Sequence, residues 1–289
     1  MRLWLTFDIE EDRHCNFPSI GAVSPSVESI EGKLEMISEF LSLSGLQATF
    51  FVVGEIAKKY APALKRLHEQ GHEIACHSMR HKFVAAMSAV EFRDDTALAK
   101  RTIEDSLGIR VLGYRAPSWS VKEGMPWFYE ILAELGFKYS SSVFPIKNYL
   151  YGIDHAPIFP YYPRVSLSRS EVIEIPVPVF ELGSLRIPYN GGFYFRALPE
   201  PLSAYLHRKF SDKWGAGMFY LHPGDFGISR SYLPPGLLDR VVHSYGVRSA
   251  WKKAQRLLQK SSSVSVWDYI FIHRNHSNSI LQASEGFLK

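Results

Sequence analysis

Short β-rich apolar runs alternate with helix-period segments along most of this chain, and that alternation leaves few architectures open. Leu3–Asp8 is an apolar run that ends in carboxylates and predicts a buried strand. The spacing of Ile30, Leu34, Ile37, Phe40 and Leu41 predicts a helix over Val27–Leu43, stopped by Gly45. Strands are predicted at Leu46–Val53, His72–Cys76 and Val111–Tyr114. Helices are predicted at Ile56–Gln70, Ser88–Leu107 and Trp127–Leu135, closed by Gly71, Gly108 and Gly136. This rhythm builds a parallel sheet covered by helices, either open or closed into a barrel. From Ala156 to Pro188 six prolines interrupt it, so helices are not expected there, and only Glu171–Val179 reads as an extended strand. It resumes with a helix near Leu202–Phe210, a strand at Gly217–His222 and a helix at Val247–Gln259.

The 289 residues suffice for one large domain or two small ones, and the absence of repeats and long linkers favours one. Hydrophobic residues at 46% against 21% charged exclude a disordered chain. The 33 Lys and Arg against 29 Asp and Glu are scattered singly or in pairs, so no nucleic-acid-binding stripe is expected. Cys15 and Cys76 are too few for a disulfide framework and lack zinc-site spacing, so both are expected as reduced thiols. The apolar N-terminal stretch ends at acidic residues, short of a signal-peptide core, and no window reaches the ~18 apolar residues of a membrane span. A cytoplasmic protein is expected, with peripheral association at the inner face of the membrane left open. The 19 Phe, 15 Tyr and 6 Trp can serve a core or a ligand cleft.

Four strand ends carry the polar groups. His77-Ser78-Met79-Arg80-His81 holds two imidazoles four residues apart, which a helical turn would aim at one metal ion. Asp8, Glu10, Glu11 and Asp12 follow the first strand, and a carboxylate with two histidines is a common catalytic metal set. At a third strand end Pro117 biases Ala116 to extended geometry, fixing Arg115 relative to Trp119; an arginine there can keep a carboxylate base ionised. His222 ends the strand Met218–Leu221, where it can act as an acid or base. Taken singly, each group also reads as an ordinary solvated loop or a hydrogen-bonded structural residue.

In chain order, Thr6-Phe7-Asp8-Ile9-Glu10, His77-Ser78-Met79-Arg80-His81, Arg115-Ala116-Pro117-Ser118-Trp119 and Leu221-His222 resemble the successive motifs of the polysaccharide deacetylase family, carbohydrate esterase family 4. The resemblance spans about Leu3–Gly224. Tyr139–Pro145 and Glu174–Val177 look most like the branch associated with bacterial surface-polysaccharide biosynthesis. It implies a seven-stranded distorted (β/α) barrel in a single α/β domain, residues 1–289, with the motifs within 3–224 and closing C-terminal helices in 225–289. The implied activity is metal-dependent removal of an N-acetyl group from an N-acetylated amino sugar in a surface-polysaccharide or glycolipid precursor, and the N-terminus without a signal-peptide core adds the expectation of a lipid- or nucleotide-linked sugar.

Carried over by motif, Asp8 resembles the catalytic base, Arg115 the residue orienting it, His222 the general acid, and His77 and His81 the metal-binding histidines. The family's adjacent second aspartate is missing. Glu10 is therefore the expected third ligand, with Glu11 and Asp12 as alternatives. The implied cofactor is a divalent metal, zinc before nickel, cobalt or manganese. Tyr114, Trp119 and Phe193 are candidate substrate-binding rings, and the stretch Asn190–Phe195 a candidate cleft loop. Ser140 stands where the family often carries an aspartate that tunes the acid histidine; Asp225 is the candidate replacement. Two other readings are a catalytically impaired carbohydrate-binding relative and a metal-independent amidohydrolase acting on a small cyclic amide.

Overall fold

A computed structural model describes residues 1–14, 29–147, 151–165, 168–226 and 236–276. In chain order the first half runs β1 (Arg2–Ile9), α1 (Glu31–Ser44), β2 (Thr49–Val52), α2 (Gly54–Ala57), α3 (Ala61–Glu69), β3 (Glu73–Cys76), α4 (Ala89–Leu107), β4 (Gly113–Tyr114), α5 (Pro126–Glu134) and β5 (Tyr139–Ser140). The second half adds β6 (Arg164–Val165), β7 (Ser168–Arg169), β8 (Ile173–Glu174), β9 (Val179–Leu182), β10 (Leu185–Pro188), α6 (Gly192–Ala197), α7 (Glu200–Trp214), β11 (Gly217–Leu221), α8 (Leu237–Ser244), α9 (Val247–Leu258), β12 (Ser262–Val264) and α10 (Val266–His276). Seven parallel strands follow one another in the order β11-β1-β2-β3-β4-β5-β8, and β12 joins the same sheet beside the first half of β1. The sheet curls into a distorted barrel with helices outside, the single α/β architecture expected. β6–β7 and β9–β10 form two small antiparallel pairs apart from it.

Strand parity sorts the side chains into two apolar layers. Leu3, Leu5, Phe7 and Ile9 of β1, Phe50 and Val52 of β2, Ile74 and Cys76 of β3, and Phe219 and Leu221 of β11 pack outward under the helices. The alternate residues Trp4, Phe51, Ala75, Tyr139, Met218 and Tyr220 fill the inner layer. A Cβ on Gly113 would fall within 2.1 Å of the Tyr139 ring, so only glycine lets that ring cross the interior. The same parity turns Asp8, the last residue but one of β1, and His77, Arg115 and His222, each just past its strand, inward at the C-terminal end of the sheet.

Some expectations need correction. The helix predicted at Ile56–Gln70 is two helices, α2 and α3, because Pro62 inside a continuous helix would clash with the carbonyl one turn back; it sits instead in the first turn of α3. Asn190–Phe195 is not a loop: α6 starts at Gly192, where Gly191 at φ 59° lets the backbone pass against the Tyr220 ring. β12 was not anticipated among the C-terminal helices. The helix predicted over Val27–Leu43 begins at Glu31; residues 27 and 28, and Cys15, lie outside the described residues. Cys76 is a buried free thiol.

Two buried histidines make the fold acid-sensitive. Burial pushes His207 down to about 3 and His72 down to about 4, from an ordinary value near 6.5. Between those values only the unfolded chain takes up the protons, so this contribution to stability is complete above pH ~6.5 and is lost as the pH falls toward the folded-state values. Urea midpoints measured at pH 7 and pH 5 are expected to fall for the wild type and to fall less for His207→Leu. An equal fall in both would remove His207 as a cause.

Candidate active site

Asp8 ends β1 on its inner face and is buried against the guanidinium of Arg115, whose Nη1 donates to Asp8 Oδ1 at 2.5 Å and to Thr6 Oγ1 at 3.0 Å. Nη2 of Arg115 reaches Ser141 Oγ at 3.1 Å, and the guanidinium lies 3.9 Å from the centre of the Phe51 ring. The other carboxylate oxygen of Asp8 faces two imidazoles, with His222 Nε2 at 3.8 Å and His77 Nε2 at 4.0 Å.

His77 follows β3, and its Nδ1–H donates to the Arg115 carbonyl at 2.8 Å. That bond fixes the tautomer and leaves the Nε2 lone pair facing the cleft. His81 Nε2 lies 3.2 Å from His77 Nε2 and 2.7 Å from the Glu10 carboxylate. The two histidines are not on a helical turn, as their spacing had suggested. Ser78 at φ 63° and His81 at φ 56° fold the segment back on itself, the His81 N–H donates to Ser78 Oγ at 2.9 Å, and Asp95 of α4 accepts the Met79 N–H at 2.8 Å. Ser118 and Trp119 beside Arg115 are also left-handed, so four of the five non-glycine residues with positive φ among the described residues border this cleft. Such conformations are costly and persist where the surroundings impose them.

Among the described residues, Glu10, His77 and His81 are the cluster of donor groups that could hold a metal ion, with ligand atoms within 4.8 Å of one another. Glu11 is turned away: it binds Lys59 Nζ at 2.5 Å, the Tyr60 hydroxyl at 2.6 Å and Arg13 Nε at 2.8 Å. Asp12 lies outside the cluster as well. Burial raises the Glu10 carboxyl, but the adjacent His81, with His222 and His77, outweighs it and holds the group down at about 2. Burial pushes His77 down to about 4, against the pull of Asp8. Both groups are thus held in their metal-ligating forms.

His222 Nδ1 donates to Asp225 Oδ2 at 3.0 Å, and the same oxygen accepts the His222 backbone N–H at 2.9 Å. Burial opposes the charged imidazolium, yet Asp225 prevails and raises His222 to about 9. Asp225 Oδ1 is met in turn by Arg196 Nε at 3.1 Å. Ser140 is elsewhere: its hydroxyl donates to Ser142 Oγ at 2.8 Å, while Glu174 accepts the N–H groups of Ser142 and Val143.

The candidate rings divide. Tyr114 is not at the cleft; one residue before Arg115 it has the opposite parity and is fully buried among Phe92, Phe128 and Phe137 under the helices. Trp119 packs edge-on against Tyr220 at 4.6 Å and Phe144 at 5.8 Å, with its buried Nε1–H lacking a protein acceptor. Phe193 is half-buried on α6 beside Tyr194. Sequence reasoning missed His14, which accepts the Glu11 N–H at Nδ1, donates from Nε2 to Glu55 at 2.8 Å and stands 6.0 Å from the His81 ring; it also missed Arg196. Neither sits at the end of a predicted strand, so nothing in the pattern marked them.

Residues 2–140 match the family described as Polysaccharide deacetylase, and residues 141–270 match a Domain of unknown function (DUF3473). A "Peptidoglycan deacetylase" of Helicobacter pylori is 30% identical over 127 residues, 44% of this chain and 39% of the relative; a "Chitooligosaccharide deacetylase" of a Bradyrhizobium species is 29% identical over 70 residues, 24% of this chain and 32% of the relative. The chain thus spans well under half the length of these curated relatives. A crystal structure from Pseudomonas aeruginosa, described as a "probable polysaccharide deacetylase", shares the fold with a TM-score of 0.59 at 15% identity, over 95% of this chain and 91% of that one. The match over residues 2–140 and these relatives place that part of the chain in the polysaccharide deacetylase family, carbohydrate esterase family 4.

Proposed function

We propose that this protein is a metal-dependent hydrolase that removes the N-acetyl group from an N-acetylated amino sugar. The reading is carried by one juxtaposition: the Asp8 carboxylate lies 3.8 Å from His222 and 4.0 Å from His77, beside the Glu10–His77–His81 cluster. The donor set suits a divalent cation. Two Nε2 atoms 3.2 Å apart converge with a carboxylate, and the His77 Nδ1–H is already committed to the Arg115 carbonyl. A cation held by Glu10, His77 and His81, zinc first and nickel, cobalt or manganese otherwise, would supply Lewis acidity toward the acetyl carbonyl and a bound water.

The rest falls to the chain's own groups. Asp8, paired with and aimed by Arg115, takes the proton from the attacking water. His222, held as an imidazolium by Asp225, gives its proton to the nitrogen as the C–N bond breaks, so that water and amide yield acetate and amine. Trp119 and Phe193 offer rings to the sugar. By analogy with the branch the sequence resembles, the substrate is a surface-polysaccharide or glycolipid precursor on a lipid or nucleotide carrier, met at the inner face of the membrane. No described helix is long and apolar enough to cross a membrane.

Elemental analysis of the purified protein is expected to find about one divalent cation per chain, lost in His77→Ala and Glu10→Ala, and acetate release from an N-acetylglucosamine conjugate is expected to stop on chelation. Asp8→Asn should lower kcat by about a hundred- to ten-thousand-fold; full turnover by that variant, or by metal-free enzyme, would overturn the reading. With His222 at about 9, the alkaline limb of kcat/KM is expected to move in Asp225→Asn toward the ordinary imidazole value of about 6.5. An unmoved limb would take the acid role from His222. Arg115→Met strands a buried carboxylate and should cost about 3–5 kcal/mol of stability by urea denaturation, less when Asp8→Asn is already present.

A further inference from the structure

One helix presents its apolar face to solvent. α8 and the residue after it carry Leu237, Leu238, Val241 and Tyr245 at i, i+1, i+4 and i+8, and these side chains are 80%, 61%, 46% and 53% exposed, while Asp239 of the same helix is buried. That is the pattern of an amphipathic helix with its apolar stripe turned outward. The exposed charge carried by α8 and α9 has one sign. From 236 to 260 the exposed charged side chains are Arg240, Arg248, Lys252, Arg256 and Lys260, all cationic, with Arg256 engaged by Glu200.

The face is also continuous with the cleft. Arg196, which braces Asp225 behind His222, donates from its Nη atoms to the carbonyls of Val242, His243 and Tyr245, binding the end of α8 to the site. A run of ring contacts leads outward along the same path: Tyr220 to Trp119 at 4.6 Å, Trp119 to Phe144 at 5.8 Å, Phe144 to Tyr194 at 6.1 Å, Tyr194 to Phe193 at 5.9 Å and Phe193 to Tyr245 at 6.2 Å. The rings are buried at the cleft end and exposed at Tyr245.

From this arrangement we infer that the outward face of α8 seats on an anionic lipid bilayer and brings the cleft to the membrane surface. Exposed apolar side chains together with exposed arginine and lysine on the same helix and the one that follows are what an interfacial helix needs, the apolar side chains entering the acyl boundary and the cations meeting lipid phosphates. A second copy of the chain fits less well: four side chains offer on the order of a few hundred Å², short of the ~800 Å² each partner of a stable dimer buries. The inference deepens the deacetylase reading, on which it rests only for the cargo. A sugar in the cleft with an apolar carrier would lie along the ring contacts toward α8 and the bilayer.

The test is co-sedimentation of the full chain with vesicles of phosphatidylcholine alone or mixed with phosphatidylglycerol. Binding is expected to the mixed vesicles, to weaken with added salt, and to drop about tenfold or more in L237S/L238S. R248Q/K252Q should weaken binding to the mixed vesicles only. Because the substituted side chains are exposed, L237S/L238S should keep the wild-type melting temperature and its release of acetate from a water-soluble N-acetylated sugar. Vesicle binding is read without turnover, so failure of the deacetylase reading would leave this result standing. No sedimentation with mixed vesicles, equal sedimentation by L237S/L238S, or a wild-type dimer in analytical ultracentrifugation that this variant abolishes would each overturn the inference.

Discussion

A guanidinium with no access to solvent holds the cleft together. Burying the charge of Arg115 costs several kcal/mol unless it is paired and hydrogen-bonded, and its compensation comes from Asp8 and Thr6 of β1, Ser141 just past β5, and the face of Phe51 of β2. One side chain therefore clamps several strand ends to a common centre. The same residue acts through its main chain, because its carbonyl accepts the Nδ1–H of His77. The orientation of the candidate base and the tautomer of a candidate metal ligand are thus two consequences of one residue's position.

Much of this was legible because strand parity is simple. Asp8 near the end of β1, and His77, Arg115 and His222 just past their strands, each stand at a position that parity turns inward, so their convergence follows once the strands are ordered. Tyr114 was misassigned by neglect of the same rule: a neighbour of Arg115 in sequence must face the other side of the sheet. What could not be read was backbone shape and distant support. Left-handed Ser78 and His81 leave no mark in composition, and His14 and Arg196 reach the site from segments with no strand pattern. The division of labour among Glu10, Glu11 and Asp12 depended on Lys59 and Tyr60, which claim Glu11 from another element.

The match to two family descriptions divides the chain at residue 140, but the site does not respect that division. Asp8, Glu10, His77, His81 and Arg115 belong to the first part; His222, Asp225 and Arg196 belong to the second. The parts meet where β1 pairs with β11, from Leu3 opposite Gly217 to Phe7 opposite Leu221, and this register sets Asp8 beside His222. Neither part holds both the candidate base and the candidate acid. A role for the second match, over 141–270, is therefore visible in the geometry: it supplies one wall of the barrel and the imidazole that faces Asp8.

The pairing of β1 has a consequence for synthesis. This strand is made before the rest of the sheet, yet its partners on β11 and β12 begin only at Gly217 and Ser262. At translation rates of about 5–20 residues per second, its hydrogen-bonding groups opposite β11 wait on the order of ten to forty seconds for a partner. During that interval a strand with five apolar residues of eight presents an open edge, the kind of surface on which chains aggregate. Contacts so remote in sequence also make the final closure slow. The cleft is therefore complete only once β11 has been made and has paired with β1, which sets His222 beside Asp8.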